Sequence, residues 1–171
     1  KMISYYKEKE FEKLPQVLEL LKEGKEIALI SQAGMPLISD PGSLLIQKVV
    51  QYDLPFTVIP GPSAVTTAFI YSGFKSDQFM FLGFLPKKEG QIKTILNKCV
   101  ETKKLFKDMV FITFESPNRI QKTLSIIHEM LPESEIVVTR ELTKKFEEIK
   151  RGKAAELLNV EYKGEITLLI A

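Results

Sequence analysis

Residues 26–50 read EIALISQAGMPLISDPGSLLIQKVV, and this stretch decides the fold class. Glu26–Ser31 is a short apolar run behind a Lys22-Glu23-Gly24 turn, the right length for a buried strand. Gly, Pro and Asp crowd residues 34–42, so a loop follows. Asp40-Pro41 then reads as a helix opening, with a capping carboxylate and a Pro in the first turn. Leu45, Ile46, Val49 and Val50 space as one helical face. The motif repeats at once. Phe56–Ile59 reads as a strand, Gly61-Pro62-Ser63 breaks it, and Ala64–Tyr71 reads as a helix. Strand, loop and helix in alternation imply an α/β protein with a parallel sheet and crossover helices.

The pattern extends in both directions. Upstream, Leu14, Val17, Leu18 and Leu21 form a helix face, with Pro15 expected in its first turn. Downstream, strands are expected at Phe79–Leu85, Val110–Phe114, Ile136–Thr139, Phe146–Lys150 and Ile166–Ile170. Between them, Ile92, Ile95, Leu96 and Cys99 space as one helix face. Ser116-Pro117 opens a second helix, with Ile120, Leu124, Ile127 and Leu131, and Ala154–Leu158 reads as a short third. The polar, Gly-containing segment Ser72–Asp77 marks a boundary between a lobe at 1–75 and a lobe at 76–171.

The chain has 171 residues, 44% apolar and 27% charged, the mix of a globular protein. Its apolar runs fall far short of the roughly 20 residues that span a bilayer. A single cysteine, Cys99, excludes an internal disulfide, and a single histidine, His128, excludes a His-rich metal site. The net charge of +2 neither demands nor forbids a nucleic-acid partner. No internal repeat or low-complexity tract is present.

In open α/β sheets, ligands bind beyond the carboxyl ends of the strands. That directs attention to Ser31–Gly42 and Pro60–Ala64. Small residues there let a ligand approach the backbone, and Pro stiffens the loops. Neither loop contains GxxxxGK[ST] or GxGxxG, which argues against nucleotide hydrolysis and a Rossmann dinucleotide site.

Six blocks stand in order along the chain: SQAGMPLISDPG from Ser31, PGPSA from Pro60, FLGFLPKK from Phe81, ESPNR from Glu115, RELTKKFE from Arg140 and KGE from Lys163. Together they resemble the ribosomal RNA small subunit methyltransferase I family of the tetrapyrrole methylase superfamily. The resemblance runs from about Ser4 to the last residue. It implies a two-lobed α/β fold, the second lobe with a mixed sheet, and S-adenosylmethionine in a cleft between the lobes. It also implies methylation of a cytidine ribose 2′-hydroxyl in small-subunit rRNA, a homodimer, no metal and a cytoplasmic location.

Carried over by position, the resemblance implies cofactor contacts from Ala33, Gly34, Met35 and Ile38, and from Ser63 and Ala64. Further contacts are implied from Phe114, Glu115 and Ser116, from Arg140, Glu141 and Leu142, and from Gly164, Glu165 and Ile166. Apolar side chains such as Ile38 and Leu142 suit an adenine ring. A ribose hydroxyl must lose its proton during attack, which makes Asp40, Glu115 and Glu141 candidate acceptors. Each also has a structural reading: Asp40 as a helix cap, Glu115 as a pre-helix acceptor, Glu141 as a partner for Arg140 or Lys144.

The chain departs from the family pattern at several points. Gln32 stands where Asp is usual, Met35 where Thr is common and Asn118 where His is common. Tyr6-Lys7-Glu8-Lys9 replaces a His-rich stretch. The family's opening strand and its first cofactor loop have no counterpart and are expected to precede Lys1, so the chain alone is expected to hold cofactor poorly. Two alternatives follow: a tetrapyrrole methyltransferase, or a non-catalytic RNA-binding protein on a degenerate methylase scaffold. His128 is expected at the surface and Cys99 in the core. The lysine-rich segment Lys87–Lys107 reads as a solvated helix face or as a surface for rRNA phosphates. Lys144 and Lys145 add a smaller basic cluster beside Arg140. Phe79, Phe81 and Phe84 are expected to face one side of a strand as core or dimer interface.

Overall fold

Period-two alternation builds the sheet that organises most of this protein. A computed structural model describes residues 2–171; Lys1, where the expected boundary falls, lies outside the described residues. The strands are β1 (Phe79–Phe84), β2 (Val110–Glu115), β3 (Glu135–Arg140), β4 (Glu148–Lys153) and β5 (Ile166–Ile170). Their order is β1-β2-β5-β3-β4. β1 and β2 are parallel, β5 is antiparallel to both β2 and β3, and β4 is antiparallel to β3. Hence β1, β2 and β3 all end at the edge where β5 begins.

The inner strands read as continuous apolar runs because both faces of the sheet are covered. Phe111, Ile136, Val138, Leu168 and Ile170 face the helices α4 (Glu89–Leu105), α5 (Ile120–Met130) and α6 (Ala154–Leu157). Their neighbours Val110, Ile112, Val137 and Leu169 face α3 (Ala64–Ser72) through Val65 and Ala68. Cys99 is buried under α4, and burial pushes its thiol up to about 11. His128 is exposed near the end of α5.

The chain divides into two compact units, one up to Ser63 and one from Ala64. The division falls before α3, earlier than residue 75, because α3 packs on the sheet. The first unit holds α1 (Glu10–Lys22) and α2 (Ser43–Gln51), joined through Leu14, Val17, Leu18, Leu45 and Val49. Pro15 sits inside α1, past its first turn, on an exposed face.

Two expectations for the first unit need correction. Residues 26–31 and 56–59 are not strands; neither joins a ladder among the described residues, so the expected parallel sheet is not formed there. An apolar run becomes a buried strand only with neighbours along its edges and cover on its faces. Here Ile30 and Ile59 are 81% and 84% exposed. Nor does Asp40 cap a helix: α2 begins at Ser43 with Gly42 as its N-cap and no side-chain cap of its own. Gly42 has φ 121°, and a Cβ there would lie 2.6 Å from Leu29 Cδ2. The free amides of Gly42 and Leu44 donate instead to Glu10 Oε1 on α1, at 3.1 and 3.2 Å. Burial and then this same carboxylate push the Tyr5 phenol up to about 12.

Two helices and one strand start later than expected. α5 starts at Ile120 rather than at Ser116, α2 at Ser43, and β4 runs from Glu148 rather than Phe146. None of the described helices is long and apolar enough to cross a membrane.

Candidate active site

The sheet edge brings three of the expected blocks into register. Ile166 pairs with Glu115 on one side and with Arg140 on the other. Thus Phe114-Glu115-Ser116, Arg140-Glu141-Leu142 and Gly164-Glu165-Ile166 converge at one end of the second unit. β1 adds the FLGFLPKK block. A bulge between Phe81 and Phe84, with Gly83 at φ 66°, swings Phe84 back to the side of Phe81. Both rings then meet Phe114, at 4.8 and 5.6 Å between centroids.

The turn after β3 is built by Glu141. Its backbone N–H donates to the Glu165 carbonyl at 2.9 Å, and its Oε1 accepts from the Glu165 N–H at 2.8 Å. The carboxylate lies so close that a Cβ on Gly164 would be 2.4 Å from it, and Gly164 has φ +84°. Glycine is therefore required at 164. Lys144 Nζ bridges Glu141 at 3.3 Å and Glu165 at 2.9 Å. The Glu165 amide first, then Lys144 and Arg140, hold the Glu141 carboxyl below its usual range against partial burial. Arg140 itself pairs with Glu148 at 2.8 Å.

Glu115 is deeper still, its side chain fully buried. It accepts from the Ser116 N–H at 2.8 Å and from Thr123 Oγ1 at 2.6 Å. Arg119 Nε lies 3.3 Å from Oε1, and Arg119 Nη2 donates to the Leu85 and Pro86 carbonyls at 2.6 and 2.9 Å. The pair ties the end of β1 to the end of β2. Sequence reading singled out Glu115 but missed Arg119 and Thr123 as its partners. The Glu115/Arg119 spacing of four was the available signal; Thr123, on the next helix, offered none.

In the first unit, the two expected loops meet. A Cβ on Gly34 would lie 3.4 Å from the Pro62 carbonyl, and one on Gly61 would lie 3.6 Å from Met35 Cγ. Ser31 Oγ tightens the first loop, donating to the Gly34 carbonyl at 2.7 Å or the Ala33 carbonyl at 3.1 Å. Asp40 and Ile38 are exposed on it, Ser63 is half-buried at the end of the unit, and Ala64 opens α3. Among the described residues, the non-glycine positions with left-handed backbone are Leu37, Ser39, Asp53, Glu141 and Thr143. All but Asp53 fall in two of the expected ligand loops. Such strain persists where surrounding structure enforces it, and it clusters at functional sites.

Comparison with known proteins gives the family and the fold. Residues 7–158 match the model of the Tetrapyrrole (Corrin/Porphyrin) Methylases. The chain belongs to the tetrapyrrole methylase family. It is 39% identical over 155 residues to the Ribosomal RNA small subunit methyltransferase I of Coprothermobacter proteolyticus, covering 91% of this chain and 68% of that protein. Its resemblance to that branch is thereby shown, and with it a place among methyltransferases. Solved structures share the fold. The methyltransferase CobJ superposes with a TM-score of 0.67 at 18% identity, over 95% of this chain and 71% of its own. Uroporphyrin-III C-methyl transferase from Thermus thermophilus, in complex with S-adenosyl homocysteine, gives 0.59 at 11% identity, over 94% and 73%. In this tetrapyrrole methylase, the ends of β1, β2 and β3 and the start of β5 make one continuous loop-lined edge.

Proposed function

We propose that the protein transfers a methyl group from S-adenosylmethionine to a cytidine ribose 2′-hydroxyl of small-subunit rRNA. The observation that carries this reading is the convergence of the ESPNR, RELTKKFE and KGE blocks on one sheet edge, in a chain 39% identical to a protein named for rRNA methylation. The residues suit the cofactor. Gly34 leaves the Pro62 carbonyl uncovered by any side chain of its own, and left-handed backbone at Leu37 and Glu141 shapes both loops. The family resemblance supports cofactor contacts from Ala33, Gly34, Met35, Ile38, Ser63, Ala64, Phe114, Glu115, Ser116, Arg140, Glu141, Leu142, Gly164, Glu165 and Ile166.

When bound, the cofactor supplies an electrophilic methyl group. The chain's own part is to align the reactants and to accept the hydroxyl proton. Glu115 is buried with its oxygens already bonded, and Glu141 is occupied by the Glu165 amide and Lys144, so both read as positioning residues. Asp40, exposed on the first loop, is the proposed proton acceptor. An rRNA substrate also supports a cytoplasmic location. The uncovered edge strand β1, with Phe79 and Met80 about 40% exposed, supports a homodimer.

Calorimetry with S-adenosylmethionine tests the cofactor, and labelled methyl transfer to small ribosomal subunits tests the substrate. Transfer to subunits and not to a porphyrinoid is expected; the reverse would establish the tetrapyrrole reading. Gly34→Trp is expected to abolish cofactor binding with the fold retained, because the new side chain must enter the space beside Pro62. Unchanged affinity would move the site elsewhere.

A further inference from the structure

Next to the proposed site, the second unit has a hollow of about 220 Å³ lined by Lys87, Ile92, Asn118, Arg119, Lys122 and Thr123. We propose that this hollow binds one phosphodiester of the RNA backbone, beside the nucleotide to be methylated. The inference rests on the rRNA reading above and assigns part of its substrate contact.

Three of the six lining residues are cationic, Lys87, Arg119 and Lys122, and Ile92 adds an apolar side chain. Not all of the charge is available. Arg119 is matched by the buried Glu115, and the Thr123 hydroxyl is spent on the same carboxylate. Lys122 reaches Glu89 only at 3.7 Å, and Lys93 holds Glu89 more closely, at 3.2 Å. Lys87 makes no ion pair, and the Asn118 amide no hydrogen bond, among the described residues. The exposed donors are therefore the Lys87 ammonium, the Asn118 amide and Lys122, whose one carboxylate partner, Glu89, is shared with Lys93. Donors without acceptors in a concave site select an anion. The hollow is open and its cations are long, which suits a phosphate carried on a larger polymer. Lysine and asparagine contacts of this kind position a nucleic-acid backbone without reading its sequence.

Its place gives the contact a use. Arg119 lines the hollow and also grips Glu115 and the carbonyls of Leu85 and Pro86, at the ends of β2 and β1. A phosphate seated there is held at a set distance from the sheet edge. Lys98 and Lys107 belong to the same lysine-rich segment and do not line the hollow, so charge alone can be separated from site.

Filter binding of the full chain to small ribosomal subunits, over a range of salt, tests the proposal. The pair Lys87→Gln and Lys122→Gln is expected to weaken binding about tenfold and to lower the salt slope by about 1, the loss of one phosphate contact. The pair Lys98→Gln and Lys107→Gln removes the same charge and is expected to change affinity less than about twofold. Asn118→Ala is expected to weaken binding without altering the salt slope. Equal losses from the two lysine pairs, or no loss from the first, would overturn the phosphate site while leaving the rRNA reading intact. If the unaltered chain itself fails to bind subunits, the rRNA reading falls and this proposal falls with it.

Discussion

The two units of this protein handle the same kind of sequence in opposite ways. In the second, apolar runs such as Val110–Phe114 and Ile166–Ile170 become inner strands, almost wholly buried. In the first, the runs at 26–31 and 56–59 join no ladder, and Ile30, Val58 and Ile59 face solvent. Local sequence does not distinguish them, since each is short, β-prone and bounded by turns. Partners do. β2 and β5 lie between neighbours and under helices on both faces, whereas the first-unit core is five buried residues on two helices. A strand is a property of a ladder, not of a segment.

The sharpest way to break this contrast is at the bond network under the second unit's edge. Arg119→Ala leaves Glu115 charged and buried, which should cost about 3–5 kcal/mol in urea unfolding. A loss below about 1 kcal/mol would mean that Glu115 escapes to water and that the edge is not braced as described. Leu168→Ala, in the middle of β5, should cost about 2–5 kcal/mol through the cavity it leaves. Leu168 is 0% exposed, so a small effect would show the sheet to be loosely covered. In the first unit, Glu10→Ala removes the acceptor for the Gly42 and Leu44 amides and should cost about 1 kcal/mol, comparable to a lost N-cap. Amide exchange at those two positions should rise with it; unaltered exchange would contradict the cap. The smallest effect is expected at Ile59→Ser, within about 0.5 kcal/mol because the side chain is already in solvent. A larger destabilisation would show that residues 56–59 are covered in solution and would erase the difference between the units.

Legibility followed the same divide. Every strand of the second unit was anticipated within a few residues; continuous apolar runs mark β1, β2, β3 and β5, whereas β4 is largely polar. The ends were harder. Ser116-Pro117 carries a helix-opening pattern, but Glu115 takes the Ser116 amide and the helix waits until Ile120. Asp40-Pro41 carries another, but the capping carboxylate comes from Glu10, far upstream. Glu115 and Glu141 were legible as carboxylates at strand ends. Their use as structural acceptors was not, because the partners Thr123 and Glu165 approach only after the chain folds back.

The sequence by itself determined the membership of this chain in a methylase family and most of the second unit's strands. Ordered motifs and hydrophobic periodicity are local and survive without coordinates. Tertiary structure alone decided which apolar runs became strands, which carboxylates were bound up and which remained free. Those outcomes depend on what packs against a segment, and both hydrogen-bond satisfaction and burial are settled by neighbours distant in the chain.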